Sequence, residues 1–372
     1  MSIHFITSGI SELSGGPSWA VVNLAKQFAK RGFSVRISSF GNLESSRNEL
    51  KILEAQLDAL EIKLDCYFAR LLNKYGFVNP TLILKIMFNR AQNEKFILNY
   101  VYSFPILYFA IFCRCNSEVF LIPHGSLSRN EFRKYPIIKI LYALILLLTN
   151  VRNRFHFVFA TRYERNNSLF SKAPKQSIIG FGIDNEIRGS ISSTVKNRLL
   201  FLGRIAAIKN LESLLIALNI LSSKGIVCFL EIIGEGKENY VASLKNLTKE
   251  LNLNSVVSFS GWLSGIEKEQ VLNRSNVLIL PSHSENFGIV VLEAAVKGIP
   301  CVLSPSVGIA ENVALSRAGV VARSTSPNDL SDAIIEILEN LGEYAENAYS
   351  WSRTNSWDSI SQLWENLFQE SK

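Results

Sequence analysis

The sequence predicts an α/β protein built from two parallel-sheet domains, and three observations carry that prediction. The chain has 372 residues, which at ~150 residues per domain points to two domains, each able to bury its own core. Between residues 197 and 322, short apolar runs alternate with stretches whose apolar residues recur at the third and fourth position, the rhythm of strands joined by helices. Charge divides as well. Residues 1–190 hold 11 Lys and 13 Arg against 13 Asp and Glu, a net +11, whereas residues 191–372 hold 15 basic against 19 acidic residues, a net −4.

In the first half, Ile3–Thr7, Val35–Ser39, Val119–Pro123 and Phe155–Ala160 read as strands and Ser18–Lys30 as a helix. In the second, Arg198–Gly203, Val227–Ile233, Val256–Ser260, Val277–Leu280, Cys301–Leu303 and Val320–Ala322 read as strands. Asn210–Leu221 places Leu211, Leu214, Leu215 and Leu218 on one helical face, as a helix laid on a sheet requires. Gly182–Ser193 is rich in Gly, Ser and charge and has no periodicity, so it is the predicted linker. The expected division is therefore 1–190, 191–355 and a final helix over 356–372. Past residue 327 the pattern is helical, and Trp351, Trp357 and Trp364 form a near-heptad stripe expected to pack as core, returning to the first domain.

Composition excludes several classes. With 48% apolar and 19% charged residues, 21 Gly and 10 Pro, the chain is neither disordered nor a low-complexity array. Cys66, Cys113, Cys115, Cys228 and Cys301 are scattered without paired zinc spacing, so a reduced protein without a structural metal is expected. The opening Met-Ser-Ile-His-Phe-Ile has no signal-peptide pattern, and a cytoplasmic location is expected. The longest apolar block, Ile137–Leu148, contains Lys139 and falls short of the ~20 residues that cross a bilayer. The basic first half fits an anionic partner (phospholipid, lipid pyrophosphate or nucleic acid) or simply a solvated basic face.

Four constellations can carry chemistry. Gly15-Gly16-Pro17-Ser18, between a strand and a helix, can turn backbone N–H groups toward a phosphate, although glycines also make turns that bind nothing. Gly203-Arg204 with Lys209 places a guanidinium and an ammonium after a strand, a pairing suited to a diphosphate; ordinary surface charge is the alternative. After the strand ending at Leu280, Pro281-Ser-His-Ser-Glu285-Asn-Phe-Gly288 leads into a helix carrying Glu293, with backbone N–H groups of Asn286, Phe287 and Gly288 beside Glu285. Finally, His124 lies between a strand and Gly125, so its ring is placed at a strand's C-terminal end. His4, His156 and His283 have no such support.

These residues resemble the retaining, GT-B-type glycosyltransferases of family four. Gly203-Arg204 with Lys209, the Ile233-Gly234-Glu235-Gly236 turn, Gly261-Trp262-Leu263 and the Glu285-x7-Glu293 element occur in the family's order and spacing, joined by Gly15-Gly16-Pro17 and Pro123-His124-Gly125. The resemblance implies two Rossmann-like domains facing a cleft, the first binding acceptor and the second nucleotide sugar. Arg204 and Lys209 would hold the donor pyrophosphate with help from Gly15 and Gly16. Glu293 would take the ribose hydroxyls, Gly234 and Leu263 would border the base, and Glu285 with Asn286, Phe287 and Gly288 would meet the transferred sugar. His124 would donate to that sugar or to the acceptor. No Asp-x-Asp triplet is present, Asp184-Asn-Glu186 being nearest, so neither a metal nor another cofactor is expected. The implied reaction moves a hexose-type unit to a glycan acceptor with retention, in assembly of a bacterial surface polysaccharide such as O-antigen or capsule.

Arg129, Arg133, Lys134 and Lys139 beside the apolar Ile137–Leu148 block suit a helix lying on the inner face of an anionic membrane, near a polyprenyl-pyrophosphate-linked acceptor; a buried helix with basic flanks is the alternative. A nucleic-acid partner is not expected. A nucleotide-sugar epimerase of the same architecture and a non-catalytic partner subunit remain open alternatives. Base, sugar, linkage and oligomeric state are not legible.

Overall fold

The computed structural model describes residues 1–7, 10, 16–39, 47–66, 94–100, 107, 109–111, 118–128, 136–184 and 196–371. The chain forms two compact units. Met1–Gly182 together with Trp357–Lys372 make the first, and Ile183–Ser356 make the second.

The first unit holds seven described strands: β1 (Ser2–Thr7), β2 (Ser34–Ser39), β3 (Lys63–Cys66), β4 (Glu94–Asn99), β5 (Val119–Ile122), β6 (His156–Phe159) and β7 (Gln176–Ile178). They pair in parallel in the order β3-β2-β1-β4-β5-β6-β7. Its described helices of four or more residues are α1 (Gly16–Lys30), α2 (Arg47–Asp58), α3 (Pro136–Leu148), α4 (Val151–Arg154) and α5 (Arg162–Asn167). Successive residues of β4 face opposite sides of the sheet. Phe96 and Leu98 join Leu121, Leu146 and Phe157 in one core, and Ile97 joins Phe5, Phe28 and Phe120 in the other. Such strands are buried on both faces, which is why they read as continuous apolar runs.

The second unit places β8 (Arg198–Leu202), β9 (Phe229–Ile233), β10 (Val257–Gly261), β11 (Val277–Leu280), β12 (Cys301–Leu303) and β13 (Gly319–Val321) in the order β10-β9-β8-β11-β12-β13, again all parallel. Its helices are α6 (Leu211–Ser223), α7 (Glu238–Glu250), α8 (Gly265–Arg274), α9 (Ile289–Ala295), α10 (Ala310–Ser316), α11 (Pro327–Glu339) and α12 (Leu341–Thr354). Strand order reverses between β8 and β11, and in the first unit between β1 and β4. In open parallel sheets the crevice at the C-terminal ends of such strands is where ligands bind.

The predicted tryptophan stripe is corrected. It is interrupted at Asn355 and Ser356 and belongs to two helices in two units. Trp351, on α12, packs on Ala295, Ala318 and Ala348, whereas Trp357 and Trp364 lie on α13 (Trp357–Glu370) in the core of the first unit. Trp357 meets Trp19 at 5.1 Å and Trp364 meets the edge of Phe120 at 5.9 Å. Arg31, just past the end of α1, adds an ion pair to Asp358 at 2.7 Å. The boundary between units lies at Gly182–Ile183, inside the predicted linker, of which residues 185–193 lie outside the described residues.

Candidate active site

In the second unit, the loops after β8 and β11 are tied together. A short 3-10 turn, Ala207–Lys209, follows β8, and the Ile208 carbonyl accepts from His283 N–H at 2.8 Å. Asn210 stands in left-handed conformation at the start of α6, and its side-chain amide donates to the carbonyls of Pro281 at 3.2 Å and Thr325 at 3.0 Å. These ties bring Lys209 to Glu285, whose carboxylate accepts a hydrogen bond from the lysine Nζ. The sequence reading left both charges open to ligand; in the unliganded protein they neutralise one another. Arg204 is exposed and has no ion-pair partner among the described residues. One uncompensated guanidinium therefore stands at the end of β8.

Glu285 is held through its backbone. Its N–H donates to Ser306 O at 3.1 Å and its carbonyl accepts from Gly308 N–H at 2.9 Å, while Phe287 O accepts from Ile309 N–H at 3.2 Å. Phe287 is buried, Asn286 half-buried, and Gly288 takes φ of 96° immediately before α9. A Cβ at Gly288 would press on Val307 at 3.2 Å and Leu280 at 3.3 Å, and the positive φ itself favours glycine there. The motif's carboxylate thus sits on a loop tied by backbone hydrogen bonds to residues 306–309.

Glu293 projects from α9, and its Oε2 accepts from Lys268 Nζ on α8 at 2.9 Å. Lys268 was not anticipated. On an amphipathic helix it reads as a solvent-facing charge, and only the packing of α8 beside α9 reveals its partner. Leu263 is half-buried just before α8, and Trp262 beside it is 58% exposed. Gly234 has φ of 138° and touches its neighbours directly: a Cβ there would lie 1.9 Å from Gly203 O, and its N–H donates to Gly261 O at 2.7 Å. Glycine there lets the loops after β8, β9 and β10 interlock. The fold pairs Lys209 with Glu285 and Glu293 with Lys268 on the same unit, and leaves Arg204 exposed on the loop after β8.

In the first unit, Gly16 opens α1; Gly15 lies outside the described residues. His124 follows β5 with φ of 50°, and Gly125 with φ of 76°. The ring belongs to a half-buried residue and packs within the first unit. It stacks on Phe181 at 5.6 Å and 20°, meets Tyr100 at 5.1 Å, and places Nε2 3.1 Å from Asn99 Oδ1. Among the described residues, Nδ1 of His124 and Nδ2 of Asn99 are buried without hydrogen-bond partners. Burial pushes the His124 pKa down from 6.5 to about 3, so the imidazole is neutral at physiological pH. A neutral ring with an unpartnered nitrogen can bind a hydroxyl but cannot serve as a fixed cation. Among the described residues, no three His, Cys, Asp or Glu side chains gather as a metal ion would require.

Two Rossmann-like units, each a parallel sheet with a topological switch point, define a GT-B-type glycosyltransferase architecture. Residues 183–352, most of the second unit, match the family Glycosyl transferases group 1. An uncharacterized glycosyltransferase of Methanocaldococcus jannaschii is 26% identical over 248 residues, 63% of this chain and 68% of that protein. D-inositol 3-phosphate glycosyltransferase of Paenarthrobacter aurescens is 27% identical over 167 residues, 42% of this chain and 41% of its own length. In fold, the chain is similar to Anabaena HepE in complex with UDP, with a TM-score of 0.75, 17% identity and full coverage of both chains. The lipopolysaccharide outer core galactosyltransferase WaaB gives the same TM-score, identity and coverage.

Proposed function

We propose that this chain is a retaining glycosyltransferase that moves a hexose-type unit from a nucleotide diphosphate sugar to a lipid-linked glycan in surface-polysaccharide assembly. The observation that carries the reading is the pairing of Lys209 with Glu285 across the loops after β8 and β11, with Arg204 exposed on the loop after β8. As the bond between sugar and diphosphate breaks, negative charge grows on the leaving phosphate. Arg204 offers a planar fork of donors and Lys209 a point charge, and both stabilise that charge once donor binding has brought them to the phosphate. Donor binding redirects Lys209 from Glu285 to phosphate, which frees the Glu285 carboxylate for sugar hydroxyls. Glu293 accepts from the ribose, and His124 presents a neutral imidazole to a substrate hydroxyl. No side chain is assigned as a covalent nucleophile; the departing phosphate takes the acceptor's proton on the face it leaves. HepE has been solved with UDP and with UDP-glucose, which supports a uridine donor as the first to test.

The acceptor side rests on α3. Tyr142 and Leu146 enter the core, while Ile140, Leu141, Leu144, Leu147 and Leu148 are 49–83% exposed along the other face. Arg152 and Lys172, linked by a hydrogen bond of 2.8 Å from the arginine to the lysine carbonyl, stand exposed near the end of that helix. An apolar stripe beside cations suits an anionic bilayer surface, where a lipid-linked acceptor is held. Among the described residues, no helix is long and apolar enough to cross a membrane. Arg129, Arg133 and Lys134 lie outside the described residues.

The test is transfer from UDP-, GDP- and ADP-sugars to a polyprenyl-pyrophosphate glycan in EDTA, with the anomeric configuration of the product determined. Arg204→Ala is expected to lower kcat by ~10²–10³. Full turnover by that variant at saturating donor, or interconversion of nucleotide sugars without an acceptor, would refute the reading.

A further inference from the structure

We propose that Glu164 is the positioning residue of His124, acting through the backbone of Gly125. His124 and Gly125 are consecutive left-handed residues, and for a residue with a Cβ that conformation is unfavourable and needs something to hold it. Glu164, 39 residues further along, provides the hold. Its side chain is buried, Oε1 accepts from Gly125 N–H at 2.5 Å, and Oε2 accepts from Ala160 N–H at 2.7 Å. Its own position is set by Thr161, the N-cap of α5, whose hydroxyl accepts from Glu164 N–H at 3.0 Å.

One carboxylate thus fastens the backbone after β5 to the backbone after β6. Both of its oxygens face N–H donors, which makes the requirement specific: a glutamine would turn its amide NH2 toward one of two donors and leave that N–H buried and unpaired. With the turn so held, the His124 ring can rest on Phe181 and Tyr100 and keep Nε2 against Asn99, leaving the buried Nδ1 and the Asn99 amide available to a ligand. Released, the turn would relax toward ordinary φ and carry the ring out of this arrangement. The sequence reading assigned no role to Glu164, because one Glu on a six-residue helix gives no periodic signal.

The catalytic part of this inference rests on the proposed role of His124, so the experiment has one arm that does not. In the first arm, the imidazole nitrogens of the intact protein are followed by NMR with ¹⁵N-labelled histidine, the His124 signals being assigned from His124→Ala. The wild-type ring is expected to remain one neutral form from about pH 8 to pH 5, and Glu164→Gln is expected to bring its titration into that range, toward the ordinary value of ~6.5. In the second arm, Glu164→Gln is expected to lower kcat roughly 10- to 100-fold with little change in donor KM, and to cost less than about twofold in a His124→Ala background. A merely structural role would cost the same in both backgrounds. Equal losses, or a His124 titration unchanged by Glu164→Gln, would overturn the proposal. If no transfer is found with any donor, the NMR arm still decides it. Should Glu164→Gln not fold, Glu164→Asp, which keeps the charge but is too short to reach both N–H groups, is measured in the same two arms.

Discussion

Lys268 Nζ on α8 lies 2.9 Å from Glu293 Oε2 on α9, so that oxygen of the carboxylate is held by a cation from the neighbouring helix. The two side chains are 26% and 22% exposed, and a pair of this kind is worth about 1 kcal/mol after screening by solvent. If Glu293 binds ribose hydroxyls, Lys268→Met is expected to weaken nucleoside diphosphate binding ~5-fold. The same substitution should leave the affinity for the 2′,3′-dideoxy nucleotide unchanged. Titration calorimetry with both ligands checks this; equal weakening for both would show that Lys268 acts elsewhere than through Glu293.

The pair formed by Lys209 and Glu285 separates stability from activity. Their side chains are 14% and 23% exposed, so removing one partner leaves a poorly solvated charge alone, whereas removing both does not. Lys209→Met is expected to cost ~1–2 kcal/mol of stability, and Lys209→Met with Glu285→Gln to recover most of it. Activity should be lost in both variants. Denaturant melts alongside transfer assays test this; a double variant less stable than the single would contradict the assignment.

The second unit was legible because its strands are short apolar runs bounded by loops, and β11 and β12 stand where Val277–Leu280 and Cys301–Leu303 predict. The first unit was less so. Its sheet includes β4, which the sequence reading missed because the strand opens with Glu94 and Lys95. Lys95 is nevertheless buried, paired with Glu118, with Nζ 5.1 Å from the Phe368 ring and 3.3 Å from the Phe368 carbonyl on α13. That partner comes from the far end of the chain, beyond the reach of any local pattern. The same holds at the site. Glu285, Glu293, Arg204 and Lys209 were singled out by order and spacing, whereas Lys268, Asn99 and Glu164 acquire partners only through neighbours supplied by other elements.

Gly182 marks the end of the first segment of the first unit, and it has no room for a side chain. A Cβ there would lie 2.7 Å from Trp357 Cα, N and ring Cδ2, and the backbone atoms cannot turn aside. Gly182→Ala is therefore expected to push α13 away from α1 and cost ~1–3 kcal/mol. A lowered Tm with loss of near-ultraviolet dichroism from Trp19 and Trp357 would register the displacement, and a Tm equal to wild type would show that the helix is not seated as described.

Acid should destabilise the protein through His124. Burial lowers its pKa from 6.5 to about 3 in the folded state, while the unfolded chain keeps a value near ~6.5. Between these values the unfolded chain binds the extra proton, so stability is fully present above about pH 6.5 and falls as pH drops toward 3, by at most ~1.4 kcal/mol per pH unit. His156 adds in the same direction, its pKa lowered to about 4 by burial and then by Lys175; the shift is smaller than that of His124, and so is its share. His124→Gln removes the larger contribution, and the variant's stability is expected to vary less steeply with pH. Urea midpoints measured at pH 7, 6 and 5 for both proteins give the comparison, and identical pH slopes would mean that the His124 ring is solvated and charged in the folded protein.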